Sequence, residues 1–161
     1  MEHRHIVTDD AVLTVAAAES ILQRGKDADV VAMMHRLRIG ATPTEHAIAA
    51  ATVEAVRLLG APAVVTFTTS GGTTRLVSSY RPPVPILGVT DRNKTWRQLS
   101  LVWGVHPVMC ETEVSYDNML KTARDYLLRE RIAQPGQRIV VTAGVPFHVA
   151  GTTNMLRIEE L

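Results

Sequence analysis

The apolar positions of this chain keep switching period, from a helical stripe to a short continuous run and back. The clearest stripe is Ile48, Ala51, Thr52, Ala55, Val56 and Leu59, which recur at i, i+3, i+4 and so share one helical face. Thr42-Pro43-Thr44-Glu45 stands before it, a capping box with proline at the first helical position, and Gly60 follows as its stop. Ala63 to Thr68 is then consecutively apolar or small, as in a strand covered on both faces. A turn over Thr69 to Gly72 leads to a short helix from Thr73 to Tyr80, ended before Arg81-Pro82-Pro83. Val84 to Val89 predicts a second strand. Thr90-Asp91 can cap a helix from Arg92 to about Val102, and Gly104 closes it. Val105 to Cys110 predicts a third strand. Ser115 caps a helix to about Arg131 with an inner face of Met119, Leu120, Ala123, Tyr126 and Leu127.

Pro135-Gly136 turns into a fourth strand, Arg138 to Thr142, and Thr153 to Ile158 predicts a fifth. No helical pattern separates these last two, so the fifth enters the sheet antiparallel. Upstream, Asp9-Asp10 precede a helix from Ala11 to Arg24 that stops at Gly25, and Asp29 can cap a short helix through Met34 and Leu37. Alternating helix and strand patterns predict an α/β fold. It is a three-layer sandwich with a mostly parallel five-stranded sheet, the last strand antiparallel, and helices on both faces. With no repeat, low-complexity segment or linker, residues 1–161 read as a single domain, 1–41 a helical lead-in and 42–158 the core.

Composition narrows the class. The chain has 161 residues, 46% hydrophobic and 20% charged, in the range of one globular domain. Aromatics are 4%, so Ala, Val, Leu and Ile must build the core. The net charge of +1 supplies no global drive toward nucleic acid or an anionic membrane. One cysteine, Cys110, excludes an internal disulfide, and its apolar neighbours suggest a buried, inert thiol. No apolar run approaches the roughly 20 residues that span a bilayer. Met1-Glu2-His3-Arg4-His5 has charge but no apolar segment behind it, so no signal peptide is expected and the cytoplasm is the expected location.

One stretch carries chemistry. Thr68-Thr69-Ser70-Gly71-Gly72-Thr73-Thr74 lies between a strand and a helix. Free N–H groups at such a helix start converge, the helix dipole favours an anion, and glycine lets the backbone approach closely. Ligands of open α/β sheets sit at such strand ends. The Gly-Lys-Ser/Thr ending of a P-loop is missing. From Thr68 to Arg97 the cations Arg75, Arg81, Arg92, Lys94 and Arg97 face one anion, Asp91, for a local net of +4, and the rest of the chain sums to −3. The same features also fit a loop that merely caps a helix beneath solvated cations.

Other candidates are weaker. His3 and His5 lack the cysteine or carboxylate partners of a metal site, so no metal or cofactor is expected. His35, His46 and His106 read as scattered, satisfied or exposed histidines, and Met33-Met34 as core. Ser70 lacks a nucleophile elbow and a placed Asp–His pair, so no catalytic residue is assigned. Trp96 and Trp103 suit a core or subunit face better than a base-stacking platform.

Three blocks resemble pyruvate kinase C-terminal domains: Thr42 to Gly60, Thr68 to Pro82, and Ala143 to Asn154. Pro85 to Thr90, Arg97-Gln98-Leu99 and Trp103-Gly104-Val105 match as well, in the same order, so the resemblance covers about residues 42–158. In that family this domain lies beside a catalytic (β/α)₈ barrel, helps form the tetramer and often binds a regulatory sugar phosphate or nucleotide. The resemblance implies that the hydroxyls of Thr68, Ser70 and Thr73, with the amides of Ser70 to Thr73, hold one phosphate. It makes Thr68, Thr69, Ser70, Gly71, Gly72 and Thr73 the candidate binding residues of a first loop. Gly144, His148, Gly151 and Thr152 are the candidates of a second loop that closes over the effector.

Gly72 stands where the family often has arginine, and between Gly144 and Thr153 only His148 can carry positive charge, when protonated. No clamp for a second phosphate is evident, so a monophosphate or no effector fits as well as a bisphosphate. The barrel's metal-binding and catalytic motifs do not occur in this sequence, and such a barrel takes about 250 residues. The resemblance therefore implies a regulatory and assembly domain, homo-oligomeric, without catalysis alone and paired with a barrel in its parent protein. The alternatives are a purely structural oligomerisation domain or a small independent enzyme acting on a phosphorylated metabolite.

Overall fold

A computed structural model of the chain describes residues 43–110, 115–147 and 152–161. The predicted helices over 11–24 and 29–37, the His3, His5 and His35 readings and the Met33-Met34 assignment lie outside them. The described elements run in chain order as α1 (Thr44–Leu59), β1 (Val64–Phe67), α2 (Gly72–Ser79), β2 (Ile86–Thr90), α3 (Asn93–Leu99), β3 (Val105–Met109), α4 (Tyr116–Arg129), β4 (Arg138–Gly144) and β5 (Thr153–Glu160). They form one five-stranded sheet in the order β3-β2-β1-β4-β5. Every pairing is parallel except β4 with β5. This is the expected α/β sandwich with its antiparallel last strand.

Side chains along β1 alternate between two layers, as a pleated strand requires. Val65 and Phe67 enter a large aliphatic core with Leu87, Val89, Ile139 and Val141 under α4. Val64 enters a smaller core with Ile86, Val140, Ala49, Val56 and Val77, beneath α1 and α2. β1 and β2 are buried along their whole length, which accounts for their continuous apolar sequence.

Helix ends follow local chemistry, with two departures from expectation. Ser115 caps α4 as expected, its hydroxyl accepting from the Asn118 amide at 3.2 Å. Gly60 ends α1 in the left-handed region at φ 61, and its N–H reaches the Arg57 carbonyl while that of Ala61 reaches Val56, a Schellman closure. At the other end of α1 Pro43 is the cap rather than the first helical residue, because its ψ of 144 is extended. Glu45 then falls second in the helix instead of third, so the predicted capping box does not form in that register; Thr42 lies outside the described residues. The buried stripe of α1 is Ala49, Thr52, Val53 and Val56, turned by one position from the predicted face, and Ala51 is exposed.

The second departure is α3. Arg92, not Thr90-Asp91, is its cap, and the helix ends at Leu99, earlier than predicted. Thr90 Oγ1 accepts from the Arg92 amide at 3.3 Å and holds Arg92 extended, which delays the helix. Trp96 and Trp103 do not pack the core: they are 38% and 51% exposed, and Leu99 fills the interior there. The Trp96 indole N–H donates to the Pro107 carbonyl on β3 at 3.1 Å, and the Arg81 guanidinium lies 4.3 Å from the Trp103 ring centre. Cys110 is buried after β3, and the Thr122 hydroxyl donates to its sulfur at 3.7 Å.

On the α4 layer, Tyr116 meets Phe67 edge to face with ring centres 5.5 Å apart. Its hydroxyl donates to Glu159 on β5 at 2.6 Å. Burial first, then the bond to Glu159, push this phenol well above the ordinary tyrosine range. Among the described residues, no helix is long and apolar enough to cross a membrane and no cluster of three or more His, Cys, Asp or Glu could hold a metal.

Candidate functional site

The Ser/Thr/Gly loop sits where β1 leaves the sheet and α2 begins. The Thr68 amide still bonds the Val89 carbonyl of β2, at 3.0 Å. The chain then turns sharply. The Thr68 hydroxyl accepts from the Gly71 amide at 2.8 Å, and Gly71 adopts φ 82, ψ 0, a left-handed conformation that suits glycine. Gly72 is the first residue of α2, one position earlier than predicted.

This turn decides which donors stay available. A helix leaves its opening N–H groups without intrahelical partners. The first intrahelical bond here runs from Arg75 N–H to the Gly71 carbonyl, at 3.0 Å. The Gly71 amide is consumed by Thr68, whereas those of Gly72, Thr73 and Thr74 have no partner among the described residues. Ser70 is exposed, and its hydroxyl makes no bond among the described residues. Thr69 is half-buried, and its carbonyl accepts from the buried Thr95 hydroxyl on α3 at 2.7 Å, so α3 braces the loop from the side.

Threonines fix the helix from below. Thr74 and Thr66 hydroxyls are 2.7 Å apart, and Thr66 passes its hydrogen to the Leu87 carbonyl at 3.3 Å. Thr73, buried to 8% exposure, pairs with Thr153 of β5, buried to 6%, at 2.6 Å between hydroxyl oxygens. The Thr68 hydroxyl oxygen accepts from the Gly71 amide and keeps its own hydrogen, and the Thr73 hydroxyl shares one bond with Thr153 of β5.

Two residues beside the loop were not among the candidate binding residues. Arg75 folds back over it, and its guanidinium donates to the Ser70 carbonyl at 2.7 Å. A Cβ at Gly71 would come within 2.8 Å of the Arg75 Nη1. Of the five cations between Thr68 and Arg97, Arg75 is the one that hydrogen-bonds the loop; Arg81 lies on Trp103 and Arg92 pairs with Asp91. Thr153 is the second such residue. Eighty residues separate it from Thr73, and only the antiparallel return of β5 beside β4 brings the two together.

The second loop is partly described. Gly144 ends β4 at a register shift and pairs with Thr153, and any Cβ there would strike the backbone carbonyl of Thr152. The Asn154 side chain brackets Val145, accepting from its amide at 2.9 Å and donating to its carbonyl at 2.7 Å. Thr152 is half-buried at the start of β5. His148 and Gly151 lie outside the described residues. The structure therefore places the first loop beside the two ends of the second, joined through Thr73 and Thr153.

Comparison with known proteins agrees with this architecture. The family model described as "Pyruvate kinase, alpha/beta domain" matches residues 46–159. The chain is 41% identical to a pyruvate kinase of Clostridium acetobutylicum, over 72% of this chain and 24% of that protein. A pyruvate kinase of Agrobacterium vitis is 39% identical over 76% of this chain and 26% of its own length. One of Staphylococcus epidermidis is 37% identical over 77% and 21%. The chain thus spans about a quarter of the length of the curated relatives it matches.

Proposed function

The chain belongs to the pyruvate kinase alpha/beta domain family, and from that premise we propose that it is a regulatory and assembly module that holds the phosphoryl group of a small metabolite at Thr68 to Thr73. It transfers no phosphoryl group alone. It works as a homo-oligomer, in the cytoplasm, beside a catalytic barrel of the kind its full-length relatives imply.

The supporting observation is that the amides of Gly72, Thr73 and Thr74, which open α2 at the exit of β1, have no partner among the described residues. Their dipoles favour an anion, and a tetrahedral oxyanion has acceptors enough for all three. The Ser70 hydroxyl, which makes no bond among the described residues, adds a donor, and Arg75 adds charge. One cation at the loop suits a single phosphoryl group better than two.

Calorimetric titration with sugar phosphates, AMP and ATP tests the reading. Ser70→Ala removes one hydrogen bond to a charged oxygen and should weaken binding by about 1.5–3 kcal/mol, with little change in thermal midpoint because Ser70 is exposed. Equal affinity in the variant removes Ser70 from the site. An oligomer that binds no phosphorylated compound leaves only the assembly role, and turnover in a phosphate-ester screen revives the enzyme alternative.

A further inference from the structure

We infer that Thr95, on α3 and outside both loops, is a positioning residue: it locks the Thr69–Ser70 peptide so that the Ser70 amide faces the anion. The inference rests on the loop reading above and adds to it a residue that touches no ligand.

The loop carbonyls carry it. A loop of glycine and small hydroxyl residues can rotate its peptides at little cost, and each half-turn puts a C=O where an N–H stood. At an anion site that exchange replaces attraction with repulsion. Three consecutive carbonyls are tied down here from within the chain. The Thr69 carbonyl accepts from the Thr95 hydroxyl at 2.7 Å, that of Ser70 from the Arg75 guanidinium at 2.7 Å, and that of Gly71 from the Arg75 amide at 3.0 Å. The Gly71 bond belongs to α2 itself, and the Ser70 bond comes from a long, exposed side chain. Thr95 differs from both. It is a short side chain, 5% exposed, in the first turn of α3, so its hydroxyl has little freedom to leave.

The direction of the lock follows from peptide geometry. The Thr69–Ser70 bond is trans, so its N–H points opposite to its C=O. With the carbonyl drawn to α3, the Ser70 amide faces away from α3, and it has no partner among the described residues. β2, which leads to α3, and β4, which leads to the second loop, flank β1 on opposite sides. The Ser70 amide is therefore turned toward the side of the second loop. The lock is fastened to the sheet: Leu99 of α3 is fully buried, and the Trp96 indole bonds the Pro107 carbonyl of β3 at 3.1 Å.

The test uses the full chain, inorganic phosphate and glucose 6-phosphate. Affinities are read by calorimetry for wild type, Thr95→Val and Thr95→Ser, and amide shifts are followed by NMR during phosphate titration. In the wild type the Ser70 amide should shift together with those of Gly72 and Thr73. Thr95→Val keeps the shape and removes the hydroxyl, and should weaken binding by about three- to tenfold while the Ser70 shift shrinks and the Gly72 and Thr73 shifts remain. Thr95→Ser restores the bond and should bind as the wild type does. Should Thr95→Val fail to fold, the wild-type titration decides: a Ser70 amide that stays still while Gly72 and Thr73 move overturns the lock. Equal affinity in the valine variant, or an equal loss in valine and serine, also overturns it while the loop reading stands. A wild type that binds neither probe overturns both.

Discussion

The two faces of the sheet are built from different materials. The α4 face is aliphatic and thick: Phe67, Leu87, Val89, Ile139, Val141, Leu120 and Leu127 close on one another, and Tyr116 keeps its hydroxyl for Glu159. The α1/α2 face holds fewer apolar groups and fills the remainder with threonine. Thr66 and Thr74 share a bond, Thr142 donates to the Met155 carbonyl, and Thr52 donates to Ile48. Apolar packing has no direction, so the α4 face contributes bulk stability. Hydroxyl pairs are directional, so the thinner face fixes where the opening turn of α2 stands. One face keeps the domain folded, and the other aims the candidate site.

That division can be broken by substitution, the largest effect first. Leu127 is fully buried in the α4 core, and Leu127→Ala should cost about 2–5 kcal/mol of stability, read as a lower urea midpoint. It should leave phosphate affinity unchanged in whatever fraction stays folded. Thr74→Val keeps the shape and removes one hydroxyl, while Thr66 retains its Leu87 acceptor. About 0.5–1.5 kcal/mol should be lost. A loss as large as that of Leu127→Ala would mean that both faces carry the fold equally.

The smallest effect lies in pH dependence. The native Tyr116 phenol is held above the ordinary value, so it keeps its proton where the unfolded chain gives its own up. Its contribution is complete below about pH 10 and falls as pH climbs from there toward the native value, because the unfolded state then binds fewer protons. Tyr116→Phe should make the alkaline decline of the thermal midpoint shallower. An unchanged slope would assign that decline to other groups.

Much of the fold was legible because each strand is a continuous buried run and each helix is punctuated. The direction of β5 followed from the missing helix between Thr142 and Thr153. The loop was legible because glycine and hydroxyl residues cluster there between a strand and a helix. What stayed hidden depends on distance in the chain or on a single torsion. Thr153 read as the end of the second loop and the start of a strand, and its bond to Thr73 follows only from the sheet. Arg75 is one of five nearby cations, and only its folded-back side chain distinguishes it. The ψ of Pro43 and the Thr90 bond to Arg92 moved two helix starts that composition alone placed earlier.

The bond between Trp96 and Pro107 has a consequence for how the sheet can be extended. β3 lies on the outside of the sheet, and Gly104 and Cys110 make its end bonds to β2, so the odd positions between them turn their backbone outward. The middle one, Pro107, has no N–H to offer, and its carbonyl is already taken by the indole. A further strand arriving there would meet a gap in donors and a blocked acceptor, which is how natural sheets discourage edge-to-edge growth. Among the described strands that leaves β5 as the open side. If two copies joined by strand addition at β5, each would present its blunted side outward, and the assembly would close as a pair instead of running on into a fibre.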